Sequence, residues 1–144
     1  MKEFKYNDQD VLTWKCENCL VFENGELKEN PSEEIEVSKN VNYSLQEVYN
    51  KEYNEEEKSI ISNSPFVTVL NINKSSDLKL VFNSDKDYYS NIVINIEEGL
   101  TVDITKISYE NNNKNNLLLE IICNDNANVK FTSIEANKNE TTTK

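Results

Sequence analysis

Cys16 and Cys19, in the stretch KCENC, are the residues whose type and spacing point most directly to chemistry. Two cysteines separated by two residues suit a zinc knuckle or a dithiol redox site. A structural zinc ion takes four ligands, and the chain offers only one further cysteine, Cys123, and no histidine. A second copy of the chain would be needed to complete a four-cysteine site. Trp14 precedes the pair as in thioredoxin-like sites, but those open a helix after a strand, whereas LVFENGELK reads as β structure. The plainer reading makes Cys16 and Cys19 small apolar residues entering a strand. Cys123 closes the run LLLEIIC and is expected to be a buried, inert core thiol rather than a cluster ligand.

Other catalytic arrangements lack their parts. Without histidine, neither a Ser-His-Asp nor a Cys-His set can be assembled. Two glycines are too few for a phosphate-binding loop. Carboxylates are plentiful, yet no pair stands out as a general acid and base. Tyr88 and Tyr89 read as strand packing, not as a stacking platform, in so acidic a chain. The chain is therefore read as non-enzymatic. No catalytic residue, metal ligand or cofactor is expected, and no cofactor-binding residue is assigned.

The elements that would carry any site follow from the rest of the chain. With 144 residues it has the length of one domain with a real core. An apolar share of 37% beside a charged share of 28% fits a globular chain rather than a disordered one. The net charge of −11 argues against nucleic acid and anionic membranes as partners, since both call for a basic footprint. No apolar run approaches the length of a membrane span. The start, MKEFKYNDQD, lacks the basic-then-apolar layout of a signal peptide, and an odd cysteine count suits a reducing compartment; a cytoplasmic location is expected. With only two glycines and two prolines, turns are expected to fall to asparagine, which tolerates left-handed backbone angles.

Along the chain, Leu20, Val21 and Phe22 run into Asn24-Gly25 and then Leu27, a hairpin signal. A turn at Pro31 leads to a short strand around Ile35 and Val37. The segment YSLQEVYNKEYNEEEKSII reads as one helix, with Ser44 and Glu47 as a capping box. Leu45, Val48, Tyr49 and Tyr53 form its apolar face, and Glu47, Lys51, Glu55 and Lys58 its solvated face. After Pro65 the texture is β-like throughout, in VTVLNI, LKLVF, NIVINI, LTVDITKI, LLLEII and NVKFTSI.

Two of these phrases repeat. The stretch from Ile96 to Ile107 matches that from Cys123 to Ile134, with Val102, Ile104 and Ile107 answering to Val129, Phe131 and Ile134, and Gly99 to Asn126. A fainter third copy pairs Ile72 with Ile96, Leu78 with Val102 and Leu80 with Ile104. Repeats of roughly 20 to 50 residues are the mark of stacked coils that bury their apolar rows against one another. A parallel β-helix explains the shared register better than a sandwich, whose meander strands need not keep it. The alternative is an antiparallel all-β domain with accidental similarity. The N-terminal hairpin and helix are expected to cover the first coil, and the stretch NVKFTSIEA to form an exposed edge.

The same residues resemble the SufB/SufD family. LVFENGELKE is similar to a segment near that family's start, and PFVTVLNINKSSDLKLVF resembles its Phe-x-x-x-Leu-Asn stretch leading into the first coil. NIVINIEEGLTVDITKISYE and LLLEIICNDNANVKFTSIEA resemble the coils that follow. The resemblance runs from about Leu20 to Asn137 and lies nearer the SufD side. It implies a right-handed parallel β-helix that acts as a scaffold in iron–sulfur cluster assembly, beside a SufB-like scaffold and the SufC-like ATPase. Family members are much longer, and their cluster-related Cys and His residues lie in later coils, so none is carried over. The chain resembles the front part of such a protein, as a fragment or a reduced relative.

The expected fold class is thus mainly β: a short right-handed parallel β-helix of about three coils, preceded by an N-terminal hairpin and one amphipathic helix. The expected division is 1–64 for the hairpin and helix region, 65–137 for the coils and 138–144 for a polar tail. Expected partners are SufB-like and SufC-like proteins, or a second copy through the exposed coil edge. A stand-alone β-solenoid module and a metal-binding protein using Cys16 and Cys19 are the alternatives.

Overall fold

The two repeated phrases lie side by side. Val102, Ile104 and Ile107 are the register partners of Val129, Phe131 and Ile134, and Ile96 is the partner of Cys123. The structure, a computed structural model, describes residues 2–6, 9–14, 19–29, 35–40, 52–110, 114–135 and 141–143. In chain order these hold β1 (Lys2–Tyr6), β2 (Gln9–Trp14), β3 (Cys19–Glu23), β4 (Glu26–Glu29) and β5 (Ile35–Asn40). A helix, α1 (Glu55–Asn63), follows. Then come β6 (Val67–Ile72), β7 (Ser76–Ser84), β8 (Tyr88–Ile96), β9 (Thr101–Glu110), β10 (Asn115–Cys123), β11 (Asn128–Glu135) and β12 (Thr141–Thr143).

From β6 onward the chain passes alternately between two sheets. One has the order β12-β10-β8-β6-β5 and the other β11-β9-β7-β3-β4, while β1 and β2 pair with each other. Pairing is parallel along each sheet from β6 to β12 and from β3 to β11, and antiparallel only where β5 meets β6 and β4 meets β3. The molecule is mainly β, with two mostly parallel sheets.

Side chains alternate in direction along a strand, so one row of each strand faces the other sheet. Those rows meet in a single apolar core that includes Leu20, Phe22, Leu70, Ile72, Leu78, Leu80, Phe82, Ile92, Ile94, Ile96, Val102 and Ile104. Neighbouring rungs place like on like: Leu20 beside Leu80, and Phe22 beside Phe82 with ring centroids 4.6 Å apart and planes within 8°.

Turns are made as the composition suggests. Asn24 (φ 52) and Gly25 (φ 79) close the β3–β4 hairpin, and Asn126 (φ 61) occupies the place that Gly99 (φ 75) holds one rung earlier. Positive φ at both central residues is the turn that suits a two-residue hairpin. The faint third copy is shifted from its sequence alignment. Ile72 does pair with Ile96, but Ser76 pairs with Val102 and Leu78 with Ile104. The turn after β6 is two residues shorter than its successor, and a slip of two leaves every side chain on its expected face.

The helix also differs from its expectation. Glu52, Tyr53 and Asn54 are not helical, so Tyr43–Ile61 is not one helix. Instead Asn54 is the N-cap: its side chain accepts from the Glu57 N–H at 2.8 Å, and its own N–H donates to the Glu57 carboxylate at 3.0 Å. The acidic first turn, Glu55 to Glu57, suits the positive end of the helix dipole. Ser64 ends the helix before Pro65, where helical geometry is disfavoured. The expected cap at Ser44 and Glu47, with Leu45, Val48, Tyr49 and Lys51, lies outside the described residues. Tyr53 and Ile60 pack on Val67, Val69, Val93 and Leu118. The helix therefore packs on the outer face of the β6-β8-β10 sheet. The hairpin β3–β4 lies beside β7 in the other sheet.

Candidate functional site

Among the described residues, β11 is the last strand of its sheet. Its eight residues keep an uninterrupted parallel register with β9, from Asn128 beside Thr101 to Glu135 beside Ser108. Phe131 and Ile134 are 41% and 43% exposed, against 0% and 3% for Ile104 and Ile107, the residues they copy. The repeat carries the same side chains one rung further, where they meet water.

Beneath this strand the apolar rows change character. The row Leu20–Leu80 continues to Lys106 and Ser133, and the row Phe22–Phe82 continues to Ser108 and Glu135. Lys106 is wholly buried. Its Nζ donates to Ser108 Oγ at 2.7 Å, lies 3.3 Å from Glu135 Oε1, and sits 5.3 Å from the centroid of the Phe82 ring. Burying an ammonium costs several kcal/mol unless paired, and here a hydroxyl, a carboxylate and a ring face share the task. Ser133 Oγ donates to the same Glu135 oxygen at 3.1 Å, fixing the carboxylate that reaches Lys106. The sequence reading passed over Lys106. Its signal was available: it shares the inward parity of Val102 and Ile104.

A ladder of amides runs across the strand ends of the other sheet. Asn95 donates to Asn71 at 3.1 Å, and Asn124 donates to Asn95 at 3.0 Å and to the Ile96 carbonyl at 2.6 Å. This too was unread, although the pairs Asn71-Ile72 and Asn95-Ile96 repeat one rung apart. Next to it, Tyr53 donates from the segment before α1 to the buried Glu120 carboxylate, at 3.2 and 3.3 Å.

The cysteines fall differently from expectation. Cys123 is exposed and free, not a buried core thiol. It does align with buried Ile96, but β12 pairs only with Asn115 to Leu117, so among the described residues no further strand covers that end of β10. Cys19 is fully buried at the start of β3 and is disulfide-bonded; Cys16 lies outside the described residues. A sulfur held in a disulfide is not a thiolate ligand. Among the described residues no group of three or more His, Cys, Asp or Glu could hold a metal ion. Tyr88 is buried in β8, while Tyr89 is 40% exposed. Tyr89, Phe66, Pro65 and Glu26 line a cleft of about 60 Å³, well below the roughly 300–1,000 Å³ of a small-molecule site. No helix among the described residues is long and apolar enough to cross a membrane.

Comparison with protein families, with characterised proteins and with solved structures returns no match for this chain.

Proposed function

We propose that this chain is a non-catalytic scaffold, a short right-handed parallel β-helix that presents its uncovered edge to a protein partner. The observation that carries the reading is the regular register of β11 on β9, with Phe131 and Ile134 left exposed at the last rung. Unpaired backbone groups along such an edge are a template for a further strand. The alternation of β6 to β12 between two parallel sheets supports the β-helix.

The setting comes from the resemblance to the SufB/SufD family. LVFENGELKE corresponds to the β3–β4 hairpin, and the two coil phrases to β8–β9 and β10–β11, in the family's order. In that setting the chain is a SufD-like component of iron–sulfur cluster assembly. A SufB-like scaffold and a SufC-like ATPase are the partners that the resemblance implies. A stand-alone β-solenoid interaction module is the second reading, favoured by the lack of histidine and by Cys123 standing as an isolated thiol among the described residues.

Affinity purification of the N-terminally tagged protein from its own cells, with mass spectrometry of what is retained, decides between them. Co-purification of SufB-like and SufC-like proteins is the expected result. Recovery of the chain without either refutes the assembly role and leaves the stand-alone module.

A further inference from the structure

Of the chain's two glycines only Gly25 follows an asparagine. Asn-Gly is the pair in which a side-chain amide is lost most readily, because glycine has no Cβ to hinder the backbone nitrogen that attacks it. In that reaction the Gly25 nitrogen bonds to Asn24 Cγ, the Cγ–Nδ2 bond breaks, and ammonia departs with the Gly25 amide proton. Water then opens the cyclic imide to an aspartate or an isoaspartate, and no other reactant is needed. Here the amide is fully employed. Asn24 Nδ2 donates to Asp85 Oδ1 at 3.0 Å, the Asp85 N–H donates to Asn24 Oδ1 at 3.0 Å, and the Asn24 N–H donates to the Asn83 carbonyl at 2.9 Å. Asp85 lies in the turn between β7 and β8, so these bonds fasten the hairpin tip to a loop 61 residues further on. Beside them Gly25 is seated on Tyr88 and Ser90 of β8. With both polar atoms of the amide held by Asp85, Asn24 Cγ cannot turn to the Gly25 nitrogen until the tip lifts.

We propose that Asn24 is a modification site whose deamidation releases the β3–β4 hairpin, and that Asp85 both guards the amide and makes the release permanent. While the tip is seated the amide is protected, so the reaction runs at a rate set by the fraction of molecules that are locally open. Once the amide has become a carboxylate, the donor to Asp85 is gone. Two carboxylates then face each other across the former 3.0 Å hydrogen bond, on a chain whose net charge is already −11. The isoaspartate product also inserts a methylene into the backbone of a two-residue turn set at φ 52 and φ 79. Neither product rebuilds the donated bond, so each molecule that opens for long enough is marked, and Tyr88, buried beneath the tip, loses its cover. The latch belongs to the β4 end of its sheet, the opposite end from β11, and so leaves that edge unoccupied.

Peptide mapping by mass spectrometry follows loss of the Asn24 amide in the full 144-residue chain, folded and in urea. The folded chain is expected to react about tenfold or more slowly than the chain in urea, and Asp85→Ala to recover most of that difference while circular dichroism stays unchanged. Asn24→Asp reproduces one product directly. It is expected to lower the folding equilibrium constant about tenfold, from one lost hydrogen bond and one like-charge contact. Asp85→Asn keeps an acceptor for the Asn24 amide and supplies a donor to a carboxylate at that position. In an Asp85→Asn background, Asn24→Asp should therefore cost less than about threefold. Tryptic cleavage after Lys28 should quicken with Asn24→Asp alone and return to the original rate in the double variant. Equal amide loss in the folded and urea-treated chain, a folded rate that Asp85→Ala leaves unaltered, or the same cost of Asn24→Asp in both backgrounds would each overturn the inference.

Discussion

Gly25 and Gly99 allow the packing of the hairpin to be measured against an internal control. Both sit at positive φ, +79 and +75, where a Cβ is disfavoured by about 1–2 kcal/mol. Their surroundings differ. A Cβ on Gly25 would lie 2.6 Å from Ser90 Cβ, 2.6 Å from Tyr88 Cδ1 and 2.9 Å from Tyr88 Cε1, whereas one on Gly99 meets nothing within 4 Å. Ser90 and Tyr88 are buried in β8, and Ser90 Oγ donates to the Gly25 carbonyl at 2.6 Å, so neither can step aside cheaply. Overpacking of this kind adds about 1–3 kcal/mol. Gly25→Ala is therefore expected to cost about 2–5 kcal/mol and Gly99→Ala about 1–2 kcal/mol. Gly99→Asn should be close to neutral, since Asn126 fills the equivalent turn at φ 61. Urea unfolding with an unchanged slope gives these differences directly, and each kcal/mol should move Tm by roughly 3–4 °C. Equal costs for the two alanine variants would mean that the hairpin tip is not seated on β8, and the reasoning would fail.

The remaining predictions concern buried polar groups. Lys106→Met removes a desolvated ammonium but keeps the row filled, so stability should hold or rise by about 1 kcal/mol; Lys106→Ala leaves a cavity and should cost about 2–4 kcal/mol by urea unfolding. Asn95→Ala breaks both links of the amide ladder, at about 0.5–1.5 kcal/mol each, and should lower the urea midpoint where Asn63→Ala on the exposed helix end does so less. Burial pushes the Tyr109 hydroxyl above its ordinary 10.0. The neutral form is the one the folded state favours, so its contribution is complete below pH 10 and is lost as pH rises through the raised folded value. Tyr109→Phe should flatten that alkaline loss in unfolding curves taken from pH 8 to 11; an unaltered profile would assign the loss to other groups.

What could be read in the sequence was whatever depends on local period. Val102 with Val129 and Ile104 with Phe131 were legible because an inward row repeats every second residue and the turn between strands keeps its length. The third copy slipped because its turn is shorter, a change that alternation alone does not reveal. Cys123 was misjudged for a different reason. Its place in the row was right, but burial depends on whether another strand covers it, which is a property of the whole stack. The break at Glu52 to Asn54 was not read because Asn54/Glu57 satisfies a capping pattern inside a run that otherwise keeps helical spacing. Lys106 was missed because a lysine within a strand is ordinarily assigned to solvent, and only the neighbouring Phe82, Ser108 and Glu135 explain how it is held inside.

The pairing of β3 has a consequence during synthesis. Leu20 and Phe22 find their parallel partners, Leu80 and Phe82, about 60 residues later in the chain. At a translation rate of about 5–20 residues per second, that interval is about 3–12 s. Throughout it, an apolar strand leaves the ribosome well before the surface it is shaped to meet. Among the described strands, the one around Leu20 to Phe22 waits longest for its partner, and is where a nascent-chain chaperone has most to protect.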